Sequence, residues 1–392
     1  MNVKVITRHS PSNYGSLLQS IATVKTIEGL GHDCLIIDYQ RPDERGLKGV
    51  LTQVNCKAGF GNPLKKLAYI AIRYPIEKFA QVRFDRMRKK YLKMTSRCSS
   101  HVDLKKISAD AFITGSDQVW GPMMNGVYDS AYFLQFVGKD SRKLAYAASF
   151  GKTKFDESTV VAYKKMLSEY DKIAVREKSA VSLLEEWGLN NCLGQVLDPT
   201  LLLDSKTWKD LLVSKHDSQK NANKNYILVY QIHNDPKLSD YAKRIARQTG
   251  MELLRVNPYL HQKFRGGKFF CCPDLGEFLA LIDNASCIIT DSFHGTCFAI
   301  NFGKQFIEIL PNNATGTRNQ SILELTGLSN RILCDFDDYS LINQMIDYNE
   351  VHYILEVERE KSVDVMKNLG SSQFLVHNAQ LQNSLRKFYI KC

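Results

Sequence analysis

Short apolar runs alternate along this chain with longer segments in which apolar residues recur at helical spacing. The first such run is NVKVIT. A polar loop containing Gly15 follows it, then a helix-periodic segment from Ser16 to Gly29, and then the run GHDCLIIDY. This order of strand, helix and strand predicts a βαβ unit, in which the two strands are parallel and the crossover is right-handed.

The same alternation recurs in both halves of the chain. Further strands are predicted at ADAFIT, KLAYAASFG, YDKIAVRE, CLGQVL, YILVYQI, MELLRV, SCIIT and QFIEIL. Helices are predicted at 178–187, 236–250, GEFLALIDNA and 295–302. We therefore predict an α/β protein with two Rossmann-like domains, each a doubly wound parallel sheet, that face a cleft.

A polar stretch at 204–224, rich in Lys, Asn, Ser and Asp, interrupts the alternation and is the predicted linker. It divides the chain into an N-terminal α/β domain at 1–203 and a C-terminal α/β domain at 225–338. The remaining residues, 339–392, are charged and amphipathic. For them we expect a helical tail that packs across both domains.

The composition fits a globular protein and excludes several other classes. The 392 residues are 44% hydrophobic and 24% charged, which excludes a mainly disordered chain. No apolar run reaches the roughly 18–20 residues that cross a bilayer, and the first residues lack the apolar stretch of a signal peptide. The ten cysteines include no CxxC pair and no zinc-ligand spacing. We expect a cytoplasmic protein with reduced core thiols.

Most of the formal net charge of +11 is concentrated in one segment. From Lys65 to Lys93, ten Lys and Arg residues are opposed only by Glu77 and Asp85, which leaves a charge of +8. Apolar residues interleave with them, so segment 63–93 could attract an anionic membrane surface, nucleic acid or a phosphorylated substrate. A solvated helix face explains the same pattern, and both interpretations stay open.

The strongest candidate site follows the predicted strand SCIIT. His294 lies in a polar turn, directly before the helix that Gly295 and Thr296 open. Backbone N–H groups at a helix N-terminus favour an anion, and an imidazole can act as a general acid or base near neutral pH. The alternative is that Asp291 or Ser292 caps the helix and His294 is an ordinary loop residue.

Two further loops after predicted strands offer polar side chains. In ITGSDQVW, the small Ser116 lets a ligand approach, and Asp117 and Gln118 offer an acceptor and a donor for sugar hydroxyls. In AVREKSA, Arg176 could form a fork with a carboxylate or a phosphate. A helix cap in the first loop and an ion pair of Arg176 with Glu177 in the second are the structural alternatives.

The first βα loop holds Asn13 and Gly15 but lacks the three-glycine dinucleotide fingerprint. The chain also has no GxxxxGK[ST], GxSxG or HExxH motif. Arg318 begins a helix after the His294 element and could reach the same anion site, although helix capping explains it equally well.

Taken together, these segments resemble the polysaccharide pyruvyl transferases. The matching segments run in family order over about residues 8–328: SNYGSLLQSIAT, ITGSDQVW, AVREKSA, VLDPTLLL, GEFLALIDNASCIITDSFHGTCFAINFG and TRNQSILELTGL. The resemblance implies a glycosyltransferase-B-like fold. It also implies transfer of pyruvate from phosphoenolpyruvate to two hydroxyls of a sugar, which forms a cyclic ketal on a bacterial surface polysaccharide. No metal and no nucleotide cofactor are implied.

The resemblance assigns roles to individual residues. His294 takes the position of the family's catalytic histidine, and Arg176 that of an arginine that binds phosphoenolpyruvate. Many members have an arginine where this chain has Ser292, so backbone N–H groups, Arg318 or Lys304 are expected to complete the anion site. The expected donor site consists of Arg176, Ser292, Phe293, Gly295, Thr296 and Arg318, and the expected acceptor site of Asn13, Gly15, Ser116, Asp117 and Gln118.

The expected partners are phosphoenolpyruvate and a sugar acceptor, here a lipid-linked saccharide, with no nucleic acid. Segment 63–93 would then hold the protein peripherally on the inner face of the cell membrane. Two other functions stay open. One is a glycosyltransferase of the same architecture with a nucleotide-sugar donor, and the other is a non-catalytic binding subunit of a glycan assembly complex.

Overall fold

The computed structural model describes residues 1–369 apart from 42, 43, 45, 57–61, 124, 125, 220–224 and 312–315. It contains two parallel β-sheets with helices, the α/β class that the sequence predicts. The strands are β1 Asn2–Ile6, β2 Asp33–Ile36, β3 Ala111–Thr114, β4 Arg142–Ala148, β5 Lys172–Val175, β6 Cys192–Gln195, β7 Tyr226–Tyr230, β8 Glu252–Asn257, β9 Lys268–Cys271, β10 Cys287–Thr290 and β11 Gln305–Glu308.

The α-helices run between and after these strands. They are α1 Tyr14–Gly29, α2 Gly46–Cys56, α3 Pro63–Tyr91, α4 His101–Leu104, α5 Glu157–Leu167, α6 Lys178–Glu186, α7 Pro199–Leu202, α8 Ser205–Leu212, α9 Lys215–Gln219, α10 Pro236–Thr249, α11 Leu275–Asp283, α12 Phe293–Asn301, α13 Gly316–Leu325 and α14 Tyr348–Leu369.

The first sheet has the strand order β2-β1-β3-β4-β5-β6, and its described pairings are all parallel. Its central strand β3 is buried along its whole length. Helices cover both faces of such a sheet, which explains continuous apolar runs in place of alternation. The carboxyl ends of β1, β3 and β5 therefore lie at one edge, where they present the loops that carry Gly15, Ser116 and Arg176.

The second sheet has the order β11-β10-β7-β8-β9 and is also parallel. Four of its strands were predicted from apolar runs, and β9 was missed. β9 lies at the edge of the sheet and is only partly buried, so its residues show no continuous apolar run. It follows Gly266 and Gly267, whose φ angles of 89° and 86° suit glycine and form the turn before the strand.

Helices α8 and α9 occupy most of the described part of the segment 204–224. Helix α8 turns Trp208 and Leu212 inward and packs against α11. Trp208 is fully buried, and its indole N–H donates to the carbonyl of Thr200 over 3.0 Å. The polar residues of this segment are the outward side of short helices, and 220–224 lie outside the described residues.

Helix α14 contacts residues of both halves of the chain. The Ser362 hydroxyl accepts from the backbone N–H of Leu197 over 3.0 Å. The Arg359 guanidinium donates to the Leu201 carbonyl over 2.6 Å and to Asn301 Oδ1 over 2.8 Å. The tail predicted at 339–392 thus includes a helix that joins the two halves, and 370–392 lie outside the described residues.

The two halves share a continuous apolar cluster. Tyr14 of α1 stacks on Phe278 of α11, with ring centroids 4.1 Å apart and planes at 1°. The Tyr14 hydroxyl donates to the Pro273 carbonyl over 2.8 Å. This contact brings the loop between β1 and α1 against the second half, and it determines where the candidate site forms.

The basic segment 63–93 is almost entirely the 29-residue helix α3, which lies between β2 and β3 in the chain. Within the part of the chain that the structure describes, no helix combines the length and the apolar character needed to cross a membrane.

Candidate functional site

His294 lies in the first turn of α12, immediately after β10. The Ser292 side chain caps this helix by accepting from the backbone N–H of Gly295 over 3.3 Å. Gly295 is required for close packing, since a Cβ there would stand 2.3 Å from Thr290 Oγ1. His294 is 6% exposed, so the imidazole is held in a nearly buried position.

The N-terminal half supplies the surface against which this imidazole packs. Asn13 caps α1 by accepting from the backbone N–H of Ser16 over 3.2 Å, and Gly15 follows in the first turn. A Cβ on Gly15 would stand only 2.1 Å from His294 Nδ1. The first turn of α1 therefore contributes backbone, not a side chain, at the imidazole.

Arg176 lies directly after β5 and is 3% exposed. Its Nη1 donates to Asp198 Oδ2 over 2.8 Å and to Ser116 Oγ over 3.3 Å. Its guanidinium carbon stands 4.3 Å from the centroid of the Phe293 ring. Burial alone would lower the pKa of Arg176, but the carboxylates of Asp198, Glu177 and Asp117 outweigh burial and raise it. The guanidinium is therefore a fixed positive charge.

Asp198 joins Arg176 to His294, and the sequence interpretation assigned it no role. Its Oδ2 accepts from Ser116 Oγ over 2.8 Å and lies 3.8 Å from His294 Nε2. Its Oδ1 accepts from the Thr200 N–H over 2.9 Å and the Thr200 hydroxyl over 2.7 Å. Burial acts to raise the pKa of Asp198, but His294 and Arg176 outweigh it and lower the pKa, so this carboxyl is ionised.

Asp117 lies between two guanidinium groups. Its Oδ1 is 3.8 Å from Arg176 Nη2 and 4.0 Å from Arg318 Nη1, and its Oδ2 accepts from Ser16 Oγ over 2.8 Å. Its φ of 77° is in the left-handed region, which Asp tolerates at turns. Burial acts to raise the pKa of Asp117, but Arg8 and Arg176 lead the opposing charges and the pKa falls far below its ordinary value.

Arg318, in the first turns of α13, completes the positive side of the cluster. Its guanidinium carbon lies 5.8 Å from the Phe293 ring centroid. Burial, with the charge of Arg176, lowers the pKa of Arg318 to about 10, so it is still protonated near neutral pH. Two guanidinium groups thus flank the ring that precedes His294.

Several buried polar atoms of this cluster lack a hydrogen-bond partner among the described residues. They are Arg176 Nε, Arg176 Nη2, Glu177 Oε2 and His294 Nε2. Arg176 Nε lies 3.7 Å from Glu177 Oε2, and Arg176 Nη2 lies 3.8 Å from Asp117 Oδ1. Both distances are too long for hydrogen bonds. The N–H groups at Arg176 Nε and Nη2 and the nitrogen His294 Nε2 are therefore available to bind a ligand.

The protonation of His294 responds to this surrounding charge. Burial lowers the pKa of His294 below its ordinary value, and Arg176 and Arg318 act in the same direction. Asp198 and Asp117 oppose them. An anion bound beside the imidazole would shift the balance toward the protonated form. The arrangement can therefore combine anion binding with proton transfer.

The structure brings together most residues that the sequence singled out. In or beside the cluster lie His294, Arg176, Ser292, Phe293, Gly295, Thr296, Arg318, Gly15, Ser116 and Asp117. The Asn13 side chain caps α1, and the Gln118 side chain packs against Gly151. Lys304 lies beyond the other end of α12, where its ammonium donates to the Asp283 carbonyl, so it does not complete the anion site.

Sequence reasoning gave Asp198 and Ser16 no role in the site, and it considered Glu177 only as an ion-pair partner of Arg176. Asp198 stands in VLDPTLLL, where Asp before Pro signals a helix cap, and it does cap α7. The capping signal concealed the second role, because one carboxylate oxygen caps the helix and the other holds Arg176.

The chain was compared with families of known proteins. A family model described as polysaccharide pyruvyl transferase matches residues 13–313, well over half of the chain. The chain belongs to the polysaccharide pyruvyl transferase family. The match includes every residue of the cluster described above except Arg318. No curated protein sequence gives a significant match.

Solved structures provide a comparison of fold. The UDP-GlcNAc 2-epimerase of Methanocaldococcus jannaschii, in complex with UDP-GlcNAc and UDP, is similar at a TM-score of 0.50 and 14% identity over 93% of this chain and 98% of that one. A putative UDP-N-acetylglucosamine 2-epimerase from Listeria monocytogenes reaches 0.49 and 13% over 94% and 91%. An α-glucosyltransferase in complex with UDP and a 13-mer DNA reaches 0.45 and 10% over 94% and 92%. At these identities the similarity concerns the two-sheet α/β fold alone.

Proposed function

We propose that this protein transfers the pyruvyl group of phosphoenolpyruvate to two hydroxyls of one sugar, which yields a cyclic ketal and releases phosphate. The observation that carries this proposal is the cluster in which Arg176 and Arg318 flank Phe293 while the His294 imidazole turns a nitrogen without a partner toward Asp198. Membership in the pyruvyl transferase family supports the same reaction.

Phosphoenolpyruvate carries a carboxylate and a phosphate close together. In the proposal, Arg176 Nε and Nη2 donate to the donor, because these two atoms are buried and have no hydrogen-bond partner among the described residues. Arg318 adds a second positive charge. The backbone N–H groups at the start of α12, which begins at Phe293, add to the positive electrostatic potential at the donor site. These groups take the place of the arginine that many relatives carry at the position of Ser292.

The chemistry requires two proton transfers that balance. With the donor bound, its negative charge favours the imidazolium form of His294. This group gives its proton to the methylene carbon while the first sugar hydroxyl attacks the central carbon, and the neutral imidazole then accepts the proton of that hydroxyl. The bond from the central carbon to the phosphate oxygen breaks with its electron pair on the phosphate. The second hydroxyl attacks, and its proton leaves with the phosphate.

The acceptor sugar is proposed to approach from the N-terminal half. Asn13 and Gln118 are partly exposed there and can donate or accept hydrogen bonds to hydroxyls. Ser116 and Asp117 are buried, and their polar atoms bond within the cluster, so they act by holding the arginines in place. Gly15 keeps the imidazole within reach of both substrates.

We place this reaction in the synthesis of a bacterial surface polysaccharide, such as a capsule or exopolysaccharide, with a lipid-linked saccharide as acceptor. We further propose that it needs no metal or nucleotide cofactor, because the arginines of the chain provide the positive charge that the donor requires. We expect turnover to be unchanged after the protein has been dialysed against a metal chelator.

One experiment tests the function directly. Purified protein is incubated with phosphoenolpyruvate and a panel of lipid-linked and free saccharides, and mass spectrometry is used to find a product that carries added pyruvate. Phosphate release is measured in parallel and should match the ketal in amount. A nucleotide-sugar panel runs beside it, because sugar transfer without pyruvate transfer would replace this proposal with a glycosyltransferase. Binding of saccharides without any turnover would indicate a binding subunit.

A further inference from the structure

Helix α3 packs against the protein on one side and is exposed on the other. On the inner side, Arg83 donates to the Cys272 carbonyl over 3.2 and 3.0 Å, and Arg73 reaches His261 Nδ1 over 3.0 Å. Arg88 donates to the His9 carbonyl over 3.3 Å. These three cations join α3 to both halves of the protein, and none of them is among the exposed residues of α3.

The outer side of α3 combines apolar and cationic side chains. Its large apolar residues are exposed by 38% to 75%: Leu64, Leu67, Ile72, Phe79 and Val82. Apart from Lys90, whose ammonium is paired with Asp274 at 3.0 Å, its exposed cations are Lys65, Lys78, Arg86 and Lys89. We call these nine residues the outer face of α3. At about 100° per residue they fall on one side of the helix.

No exposed acidic residue of α3 opposes this charge. Of its two acidic residues, Glu77 is buried and paired with Arg73 at 2.7 Å, and Asp85 is half-buried and paired with Arg88. A merely solvated helix face would carry both signs of charge and few large apolar side chains. The outer face of α3 carries one sign of charge and five large apolar side chains.

We propose that the outer face of α3 binds the surface of an anionic lipid bilayer. The apolar side chains would enter the boundary between headgroups and acyl chains, and the four cations would pair with anionic headgroups. The exposed Leu64, Leu67 and Ile72 favour lipid over nucleic acid, because a phosphate backbone offers little to aliphatic side chains.

The same helix reaches the candidate site from its inner side. Phe84 of α3 packs on Tyr14 with ring centroids 5.1 Å apart, and Tyr14 is the neighbour of Gly15. A protein held to a bilayer by α3 would therefore have its acceptor side close to lipid-linked saccharides. The binding itself does not rest on pyruvyl transfer, because vesicles can be bound without turnover.

Vesicle sedimentation tests the proposal with the full chain. Phosphatidylcholine vesicles with and without phosphatidylglycerol are compared at low and high salt. We expect at least tenfold tighter binding to the anionic vesicles and a clear loss at high salt. The variant Lys65→Gln, Lys78→Gln, Arg86→Gln, Lys89→Gln should lose at least tenfold in binding, and Leu67→Ser, Ile72→Ser, Phe79→Ser should also lose binding.

A matched variant removes the same charge elsewhere: Lys139→Gln, Lys154→Gln, Lys164→Gln, Lys165→Gln, all exposed and outside α3. It should bind like the unchanged protein, and an equal loss would overturn the proposal in favour of a net-charge effect. Equal binding to both vesicle types would overturn it as well, as would tight binding of a single-stranded RNA with no binding to vesicles. Thermal unfolding of each variant confirms that it is folded.

Discussion

The imidazole of His294 fills the space that a side chain on Gly15 would occupy, with Nδ1 only 2.1 Å from the ideal Cβ position. Gly15 lies in the first turn of α1, and His294 lies in α12 in the second half of the chain. The position of the proposed acid–base group is therefore fixed by packing between the two halves.

Replacement of Gly15 by alanine tests this contact. The methyl group should displace the imidazole by about an ångström, and a misplacement of this size costs roughly 10²-fold in rate. We expect kcat to fall by about that factor while phosphoenolpyruvate still protects the protein in thermal-shift assays. Gly29→Ala is the matched control in the same helix, because no atom of the described residues lies within 4 Å of a Cβ there. Its turnover should be unchanged, and equal loss in both variants would contradict the packing argument.

Removal of the imidazole should abolish proton transfer and leave donor binding largely intact. His294→Ala should lower kcat by about 10²–10⁴-fold, the usual contribution of a positioned general acid or base. Steady-state phosphate release gives kcat, and thermal shift with phosphoenolpyruvate reports binding. Turnover within twofold of the unchanged protein would exclude His294 from the proposed chemistry.

Arg176→Lys should weaken donor binding although it keeps the positive charge. The planar guanidinium of Arg176 donates from Nη1 to Asp198 and keeps Nε and Nη2 available for the donor substrate. A lysine ammonium cannot reproduce this geometry. Loss of one charge-assisted hydrogen bond, worth about 1.5–3 kcal/mol, predicts a KM for phosphoenolpyruvate raised about 10–150-fold. The exposed Arg247→Lys in α10 is the control and should leave KM unchanged. A rise in both variants would indicate a general effect.

The charge of Asp198 should set the pH range of activity. Its carboxylate acts to raise the pKa of His294, whereas burial lowers it. Asp198→Asn removes the negative charge that stabilises the imidazolium, so the pKa of His294 should fall further. The alkaline limb of the plot of kcat against pH should therefore move to lower pH. Asp198→Glu keeps the charge and should keep the limb near its original position. Lower activity at every pH without movement of the limb would show a structural role only.

Glu308 predicts a pH dependence of stability. Burial raises the pKa of its carboxyl to about 8, although bonds from Thr296 and Asn319 act in the other direction. The folded protein therefore holds a proton that the unfolded chain releases near its ordinary pKa of 4.5. Between these values this group should lower the free energy of unfolding as pH rises, by about 1.4 kcal/mol per pH unit.

Glu308→Gln removes this titration and keeps the shape and both hydrogen-bond partners. Urea unfolding at pH 5 and pH 8.5 should show the variant close to the unchanged protein at the lower pH and more stable than it at the higher pH. Glu324 in α13 is exposed, and Glu324→Gln is the control. Its free energy of unfolding should differ from that of the unchanged protein by the same amount at both pH values. A constant offset between Glu308→Gln and the unchanged protein at both pH values would contradict a raised pKa.

Much of the fold was predictable because local patterns decide it. Continuous apolar runs gave the strands of both sheets except β9, whose edge position leaves its residues only partly buried. The helix at 236–250 was predicted one residue longer than α10, whose C-cap is Gly250 with φ of 68°. The segment 204–224 resembles a linker in sequence because polar residues dominate it. Trp208 and Leu212 are the buried residues of helix α8 in this segment.

The candidate site was predictable in part. Loops after parallel strands must lie at the carboxyl edges of the sheets, so Arg176 and His294 could be singled out from the sequence. Asp198 was missed because its capping signal already explained it. The distance from Asp117 to Arg318 could not be read from the sequence, because it depends on how the two halves pack.

The sequence by itself determined the two α/β sheets, the family and the side chains that the loops present, because periodicity, caps and motifs are local properties of the chain. Tertiary structure alone decided that Gly15 meets His294, that Asp198 joins Arg176 to the imidazole, and that the cations of α3 divide into an inner and an outer set. The physical reason is that burial and charge act through space, and residues far apart in the chain share one low-dielectric cluster only after the two halves have packed.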